Sequence, residues 1–369
     1  MRFADSDAQR LLRETARSYL KERYPWERLF ALEQGEAPLD RGDVGEYAQL
    51  GWLGLLVPEQ EGGAGASLLE AGVVVEELGY AAVAAPVPHA LVVSYVLQRA
   101  PRRDDSLRQH LRRLASGHGL YGLALPSEGW AMDGGRPSAS VALEGGRLEG
   151  ELPLVPFAHV LDFVLAPLVA DGVPALGLLP LAEAQKDGQP LLDLRPAGRV
   201  HFLSTPLGEG DIIARGEEAA QLQEECQALL TAFINLELAG LMQRVVAMTS
   251  EYIANRIQFG RPIATFQAAR HRAAEMFMMA ETLRWAAYHS LWRFQEDPAD
   301  TVGIWQARYW AAQAAQVVYT NGHMLHGGVG VGLEYPLHLF THPLMGLPVL
   351  GVSQEEVAQR ISRAVLPGA

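Results

Sequence analysis

Cysteine is almost absent: Cys226 is the single one in 369 residues. One thiol excludes an intramolecular disulfide, a cysteine-built zinc cage and an iron–sulfur cluster, and it suits a reducing, cytoplasmic setting. Cys226 follows Glu224 and Glu225, whose charges favour the protonated thiol, so it reads as a packing residue. Positive charge is also scarce, with 30 Lys and Arg against 43 Asp and Glu, a formal net charge of −13. That balance disfavours nucleic-acid binding, which needs a basic face to neutralise phosphates. The acidic residues are dispersed rather than blocked and read as solvated surface. Long apolar runs are missing too: 81–97 is interrupted by Pro86, Pro88 and His89, and 164–182 by Pro167, Asp171, Pro174 and Pro180, so neither reads as a membrane span. Met1 to Asp7 lack the basic region and apolar stretch of a signal peptide. No Gly-x-Ser-x-Gly elbow supports a serine hydrolase. His271, His323, His326, His338 and His342 come without the Glu-x-x-His pairs of a carboxylate di-iron bundle, so no metal site is expected.

The chain does have the 49% hydrophobic content of one that buries a full core, at a length suited to two or three domains. Residues 1–118 read as a helical domain, with Leu11, Leu12, Ala16, Tyr19 and Leu20 at helical spacing, Asp43 as a candidate cap and Ser67 opening an apolar-rich helix. Gly62 to Gly65 read as a loop. Residues 119–215 change character: short β-prone runs at 121–125, 140–143, 163–169, 175–179 and 199–202 alternate with Gly, Pro and Asp, as in a small sandwich or barrel. Residues 216–369 return to long helical periods near 218–256, 266–296, 302–323 and 354–364, a four-helix bundle. The expected class is therefore α+β and multidomain.

Two segments carry chemistry. In Arg256-Ile257-Gln258-Phe259-Gly260-Arg261-Pro262-Ile263, Gly260 suits a left-handed helix C-cap, and Thr265 can cap a helix starting at Phe266. The segment is either an ordinary helical corner or a site where Arg256 and a helix N-terminus meet a diphosphate or carboxylate, with Phe259 as a flat face for a ring. In the second segment, Gly327, Gly328, Gly330 and Gly332 follow a helix and would let backbone approach a ligand closely. It is not a dinucleotide fingerprint, since Leu333 stands where a glycine is required, and no Gly-Lys-Ser/Thr follows to make a P-loop.

Together these segments resemble the acyl-CoA dehydrogenase family. Arg256 to Ile263, followed by Phe266-Gln267 and by Ala274-Glu275-Met276, is similar to the R-x-x-F-G-x-P-I…F-Q…M signature. Gly327 to Gly330 with Glu334-Tyr335-Pro336 is similar to the G-G-x-G…E-Y-P element, and Gly51 to Glu59 with Gly62-Gly63-Ala64-Gly65 to the N-terminal G-W-x-G-L-x-V-P-E…G-G-x-G motif. The resemblance implies a tetramer-forming flavoprotein whose FAD lies between the β domain and the C-terminal helices and reaches a neighbouring subunit. Arg256, Phe259 and Gln267 would hold diphosphate and adenine there, with the backbone of Gly327, Gly328 and Gly330 closing from the other side. It further implies α,β-dehydrogenation of an acyl-CoA thioester. A carboxylate removes the α-proton, hydride passes to the flavin, and electrons leave to an electron-transfer flavoprotein.

The pattern breaks at the reacting centre. The family's base position, fifteen residues past Pro336, is Gly351, and the alternative position on the preceding long helix is Leu230. Glu237 lies two helical turns beyond Leu230 on the same face and is the nearest replacement. Met324 replaces a glutamine ahead of the glycines, Leu154-Val155-Pro156 replaces the Trp-x-Thr that packs on the flavin ring, and Leu125 to Gly129 replaces a Thr-Glu-Pro turn. The losses concern the ring and the reacting carbons, whereas the retained residues belong to the adenosine diphosphate half. Three readings follow: one subunit of a heteromeric dehydrogenase, a self-sufficient enzyme using Glu237, or a catalytically silent homologue kept as a binding or assembly subunit.

Overall fold

The computed structural model describes residues 4–35, 39–102, 104–125, 132–133, 136–137, 141–191 and 195–366. Most of the Leu125 to Gly129 segment, and Ser140, lie outside them. The helices of the N-terminal part are α1 (Asp7–Arg23), α2 (Trp26–Glu33), α3 (Arg41–Gln49), α4 (Leu68–Tyr80), α5 (Val87–Arg99) and α6 (Asp105–Ala115). Ser6, Asp40 and Ser67 open α1, α3 and α4, each within a reciprocal capping box. Asp43 is thus not the cap of α3. It is the third residue of a helix that begins at Arg41, and its carboxylate accepts the Asp40 N–H at 3.3 Å.

The central part contains β1 (Tyr121–Leu123), β2 (Met132–Asp133), β3 (Arg136–Pro137), β4 (Val141–Glu144), β5 (Arg147–Pro156), β6 (Phe163–Ala170), β7 (Val173–Pro180), β8 (Gln185–Pro190), β9 (Pro196–Pro206) and β10 (Ile212–Arg215). Eight of these form one mixed sheet in the order β10-β7-β6-β4-β5-β9-β8, with β1 also paired to β6. The β1–β6 and β4–β6 pairings are parallel. β6 is buried at nearly every position, which explains its unbroken apolar run. In register with it, Tyr121 stacks on Phe163 at 5.2 Å.

The C-terminal part is α7 (Gly216–Asn255), β11 (Ile257–Gln258), β12 (Arg261–Pro262), α8 (Gln267–Glu296), α9 (Val302–His326), α10 (Leu337–Gly346) and α11 (Gln354–Val365). From Glu225 to Met242 every residue of α7 is buried, so this helix forms the axis of the core. It is the one described helix long and apolar enough to cross a bilayer, and 83% of its apolar window lies inside the protein. α4 crosses α7 backbone to backbone. A Cβ on Gly79 would lie 2.1 Å from the Glu237 carbonyl oxygen, and one on Gly240 would lie 2.0 Å from that of Glu76, so only glycine fits at either position. Beside the crossing, Arg13 donates to Glu76 and Glu77 at 2.7 and 2.8 Å, and Arg284 and Tyr288 donate to Glu76, each at 2.6 Å. These bonds fasten α1 and α8 to α4.

The corner after α7 differs from the expectation. The helix ends at Asn255, and Phe259 and Gly260, with φ of 53° and 77°, form the two-residue turn of the β11–β12 hairpin. Two consecutive positive φ values match the twist of a tight hairpin, so Gly260 serves that turn rather than a helix C-cap. Thr265 does not cap α8: its hydroxyl donates to the Pro262 carbonyl at 2.7 Å, and the helix starts at Gln267 with no side-chain cap.

Candidate functional site

The hairpin holds Phe259 clear of the protein, 92% exposed. The Ile263 N–H donates to the Arg256 carbonyl at 2.9 Å and closes the hairpin base. Arg261 lies over the Phe266 ring at 4.2 Å, and Phe259 meets the same ring edge-on at 6.1 Å. Arg256 is exposed and opens onto a hollow of about 660 Å³ shared with Tyr252, Tyr335 and Arg244. Gln267 stands at the first turn of α8, 2.7 Å from the His271 ring. That turn presents backbone amides with no side-chain cap at the positive end of a 30-residue helix dipole.

The glycine segment is brought to this place by aromatic contacts. Tyr252, one turn before Arg256, stacks on His326 at 4.5 Å, and Tyr335 packs against His326 at 5.2 Å. His326 bonds the Gly322 carbonyl at 2.8 Å, and burial lowers its pKa, so the ring is a neutral spacer. After it, Gly327 to Val331 turn through a short 3-10 helix. A Cβ on Gly327 or Gly328 would meet nothing within 4 Å, so their backbone lies open to a ligand. Gly330 is different: a Cβ there would sit 2.7 Å from the His326 Cβ, which makes it a packing glycine. The two sequence segments therefore share one region, with Arg256 and Gly327 on either side of the Tyr252–His326 stack.

Glu237 lies elsewhere. It is 6% exposed and accepts a hydrogen bond from Arg195, which itself is 3% exposed at the entrance to β9. Its second carboxylate oxygen has no hydrogen-bond partner among the described residues. Two more ionisable groups complete the cluster. Burial, with the Arg195 charge adding, pushes the His89 pKa down to about 3, and burial with repulsion from Arg195 pushes that of Arg308 down to about 9. Arg308 is wholly buried and donates through Nη2 to the Leu350 carbonyl at 3.0 Å, immediately before Gly351. Its Nε and Nη1 have no acceptor among the described residues. Gly351 has φ of 74°, and Leu230 is buried on α7. Sequence reasoning did not find Arg195 or Arg308. Arg308 left a trace, since it shares a helical stripe with Ile304, Ala311, Ala315 and Val318, all buried.

The remaining candidates have structural partners. Cys226 is buried and its thiol is pushed up to about 12 by that burial. His338 contacts Glu33 at 3.0 Å, and His323 contacts Thr341 at the same distance. The described residues contain no group of three His, Cys, Asp or Glu placed to hold a metal ion.

The chemistry of the donors fits one half of an FAD molecule. An exposed guanidinium, a solvent-facing phenyl ring, uncapped helix amides and two open glycines suit a diphosphate joined to a flat base. All of them face outward. The interior carboxylate that could meet a reacting carbon is already engaged with a guanidinium.

Comparison with known proteins agrees with this layout. Residues 6–118 match the acyl-CoA dehydrogenase N-terminal domain and residues 232–366 the acyl-CoA dehydrogenase C-terminal domain. The acyl-CoA dehydrogenase FadE28 of Mycobacterium tuberculosis is 29% identical over 304 residues, covering 80% of this chain and 84% of that protein. The acyl-CoA dehydrogenase IpdE2 of Mycolicibacterium smegmatis is 26% identical over 356 residues, covering 95% and 97%. Among solved structures, a chain of the ChsE4-ChsE5 complex from Mycobacterium tuberculosis superposes with a TM-score of 0.87 at 26% identity, with each chain covered completely. The helical, sheet, helical order of the elements and both matched domains make this chain a member of the acyl-CoA dehydrogenase family.

Proposed function

We propose that this chain is one subunit of a heteromeric FAD-dependent acyl-CoA dehydrogenase and contributes the diphosphate-binding surface to an FAD whose ring and catalytic base belong to a partner subunit. One observation carries the reading: the residues suited to the adenosine diphosphate half are exposed together, while Glu237 is buried and ion-paired to Arg195. A carboxylate that takes an α-proton must project from the wall of the substrate site toward the reacting carbon. The Glu237 side chain is instead held between α7 and the start of β9.

Arg256 would pair with the diphosphate, the first amides of α8 would add the helix dipole, and Phe259 would lie against the adenine, with Gln267 beside it. Gly327 and Gly328 would approach from the other side, Gly330 keeping their turn packed. The chemistry supplied by FAD is acceptance of the hydride from the acyl β-carbon. The similarity to a chain of a complex named for two proteins supports a partner subunit. We further propose a tetramer that contains both subunits, acyl-CoA as substrate, an electron-transfer flavoprotein as electron acceptor, a cytoplasmic location, and domains bounded at residues 118 and 215.

Purification of the tagged chain alone and from its native cell, with visible spectrum and mass of each sample, tests the reading. The isolated chain is expected to be colourless and the native complex to carry one FAD per pair of unlike subunits. Arg256→Gln should release flavin from the complex without dissociating its subunits, and should leave the unfolding midpoint of the isolated chain unchanged, since Arg256 is exposed there. A homotetramer of this chain carrying one FAD per subunit and turning over acyl-CoA would refute it. A complex without flavin would favour the silent assembly subunit.

A further inference from the structure

On the side of α1 and α2 lies a cavity of about 480 Å³, within the roughly 300–1,000 Å³ range of small-molecule sites. Leu20, Tyr24, Leu29, Tyr80 and Phe340 form its walls, and the half-exposed Trp26 stands at its edge. The walls come from four elements, α1, α2, α4 and α10, so the cavity is part of the tertiary packing rather than a loop gap.

The charge left unpaired at its rim has one sign. The carboxylate of Glu77 accepts hydrogen bonds from Arg13 and from Arg17, whose Nε lies 2.7 Å away. Arg244 also lines the cavity, held between the Tyr80 and Phe340 rings at 5.6 and 5.5 Å, and it makes no ion pair among the described residues. Lys21 lines the cavity too, likewise without a carboxylate partner among the described residues. An apolar pocket with two uncompensated cations is complementary to a molecule with an apolar body and one anionic end. A guanidinium that already rests against two rings has little further freedom to lose when it binds a carboxylate.

We propose that this cavity binds an amphipathic carboxylate, its apolar body between Leu20, Leu29 and Phe340 and its carboxylate on Arg244 and Lys21. Trp26 and Arg244 also line the hollow that contains Arg256, so the carboxylate end lies at the boundary between this cavity and the proposed diphosphate surface. The site depends on no assumption about flavin.

Titration calorimetry on the protein as it purifies, with each probe below its micelle concentration, decides the matter. Sodium dodecanoate should bind at one site per chain, and dodecyltrimethylammonium, which has the same chain length and opposite charge, should not. Arg244→Gln should weaken dodecanoate at least tenfold, and Ala81→Phe, which fills the cavity from the end of α4, should abolish binding while leaving all the cations in place. Sodium cholate, run in parallel, distinguishes a polycyclic body from a linear one by which probe binds more tightly. Equal binding of anionic and cationic probes, many weak sites per chain, or dodecanoate affinity unchanged in both variants would overturn the proposal.

Discussion

Arg195→Met strips Glu237 of its guanidinium partner inside the protein. The pair is 3% and 7% exposed at its side chains, so water cannot replace the lost bond. Removing one member of a buried ion pair costs about 3–5 kcal/mol, because the other charge stays behind without compensation. Unfolding entropy of about 2.1 cal/mol/K per residue gives about 0.8 kcal/mol/K for a chain of this length unfolding as one unit. The expected fall in Tm is therefore about 4–6 °C, read by differential scanning calorimetry at fixed protein concentration. Glu237→Met alone should cost a similar amount, since the buried Arg195 charge then loses this carboxylate. The double variant should recover most of either loss, because two apolar side chains of similar volume tolerate the site. A fall of less than about 1 °C for Arg195→Met, or a double variant no better than the singles, would refute the view that Glu237 is held by this pair. Turnover of the assembled enzyme supplies the functional half of the test: it should survive Glu237→Gln in the fraction that remains folded.

Two further outcomes follow from the buried groups. His89 has a folded pKa of about 3, below its ordinary value of 6.5, so the unfolded chain takes up the proton first as pH falls. The stability tied to its neutral ring is complete above pH 6.5 and is lost as pH falls toward 3, by at most about 1.4 kcal/mol per pH unit. His89→Gln should flatten the Tm–pH curve between pH 6.5 and 4, and an unchanged curve would place the ring in contact with water. Cys226, its thiol pushed up to about 12 by burial, should resist a disulfide reagent in the native chain and react fully in denaturant. Rapid native labelling would contradict its place in the core.

The long helices were legible because their signals are local. α7, α8 and α9 carry their own periodicity, and Ser67 caps α4 where a serine before an apolar run predicts it. β5 was missed because Gly150 and Pro153 interrupt its alternation, and β8 because an edge strand of polar residues resembles a loop. α10 was missed for the opposite reason. It is buried along most of its length and contains Pro343, so it offers neither an amphipathic stripe nor an unbroken run. Gly260 was legible as a left-handed residue but not as a hairpin residue, since the partner strand is only two residues long. At the candidate site, Arg256, Phe259 and Gln267 were found from a contiguous motif. The Arg195–Glu237–Arg308 cluster joins a strand entrance and two helices far apart in the chain, and no local pattern records such a meeting.

The glycine crossing of α4 and α7 has a mechanical consequence. Tyr80, a wall of the carboxylate cavity, directly follows Gly79, whose Cα rests against the backbone of Glu237. Elsewhere in the core, side chains separate one helix from the next and can absorb a small shift by changing rotamer. Here no side chain intervenes. With no rotamer there to take up a shift, the end of α4 and the α7 backbone that carries Glu237 must move together, as at a pin joint rather than a cushion.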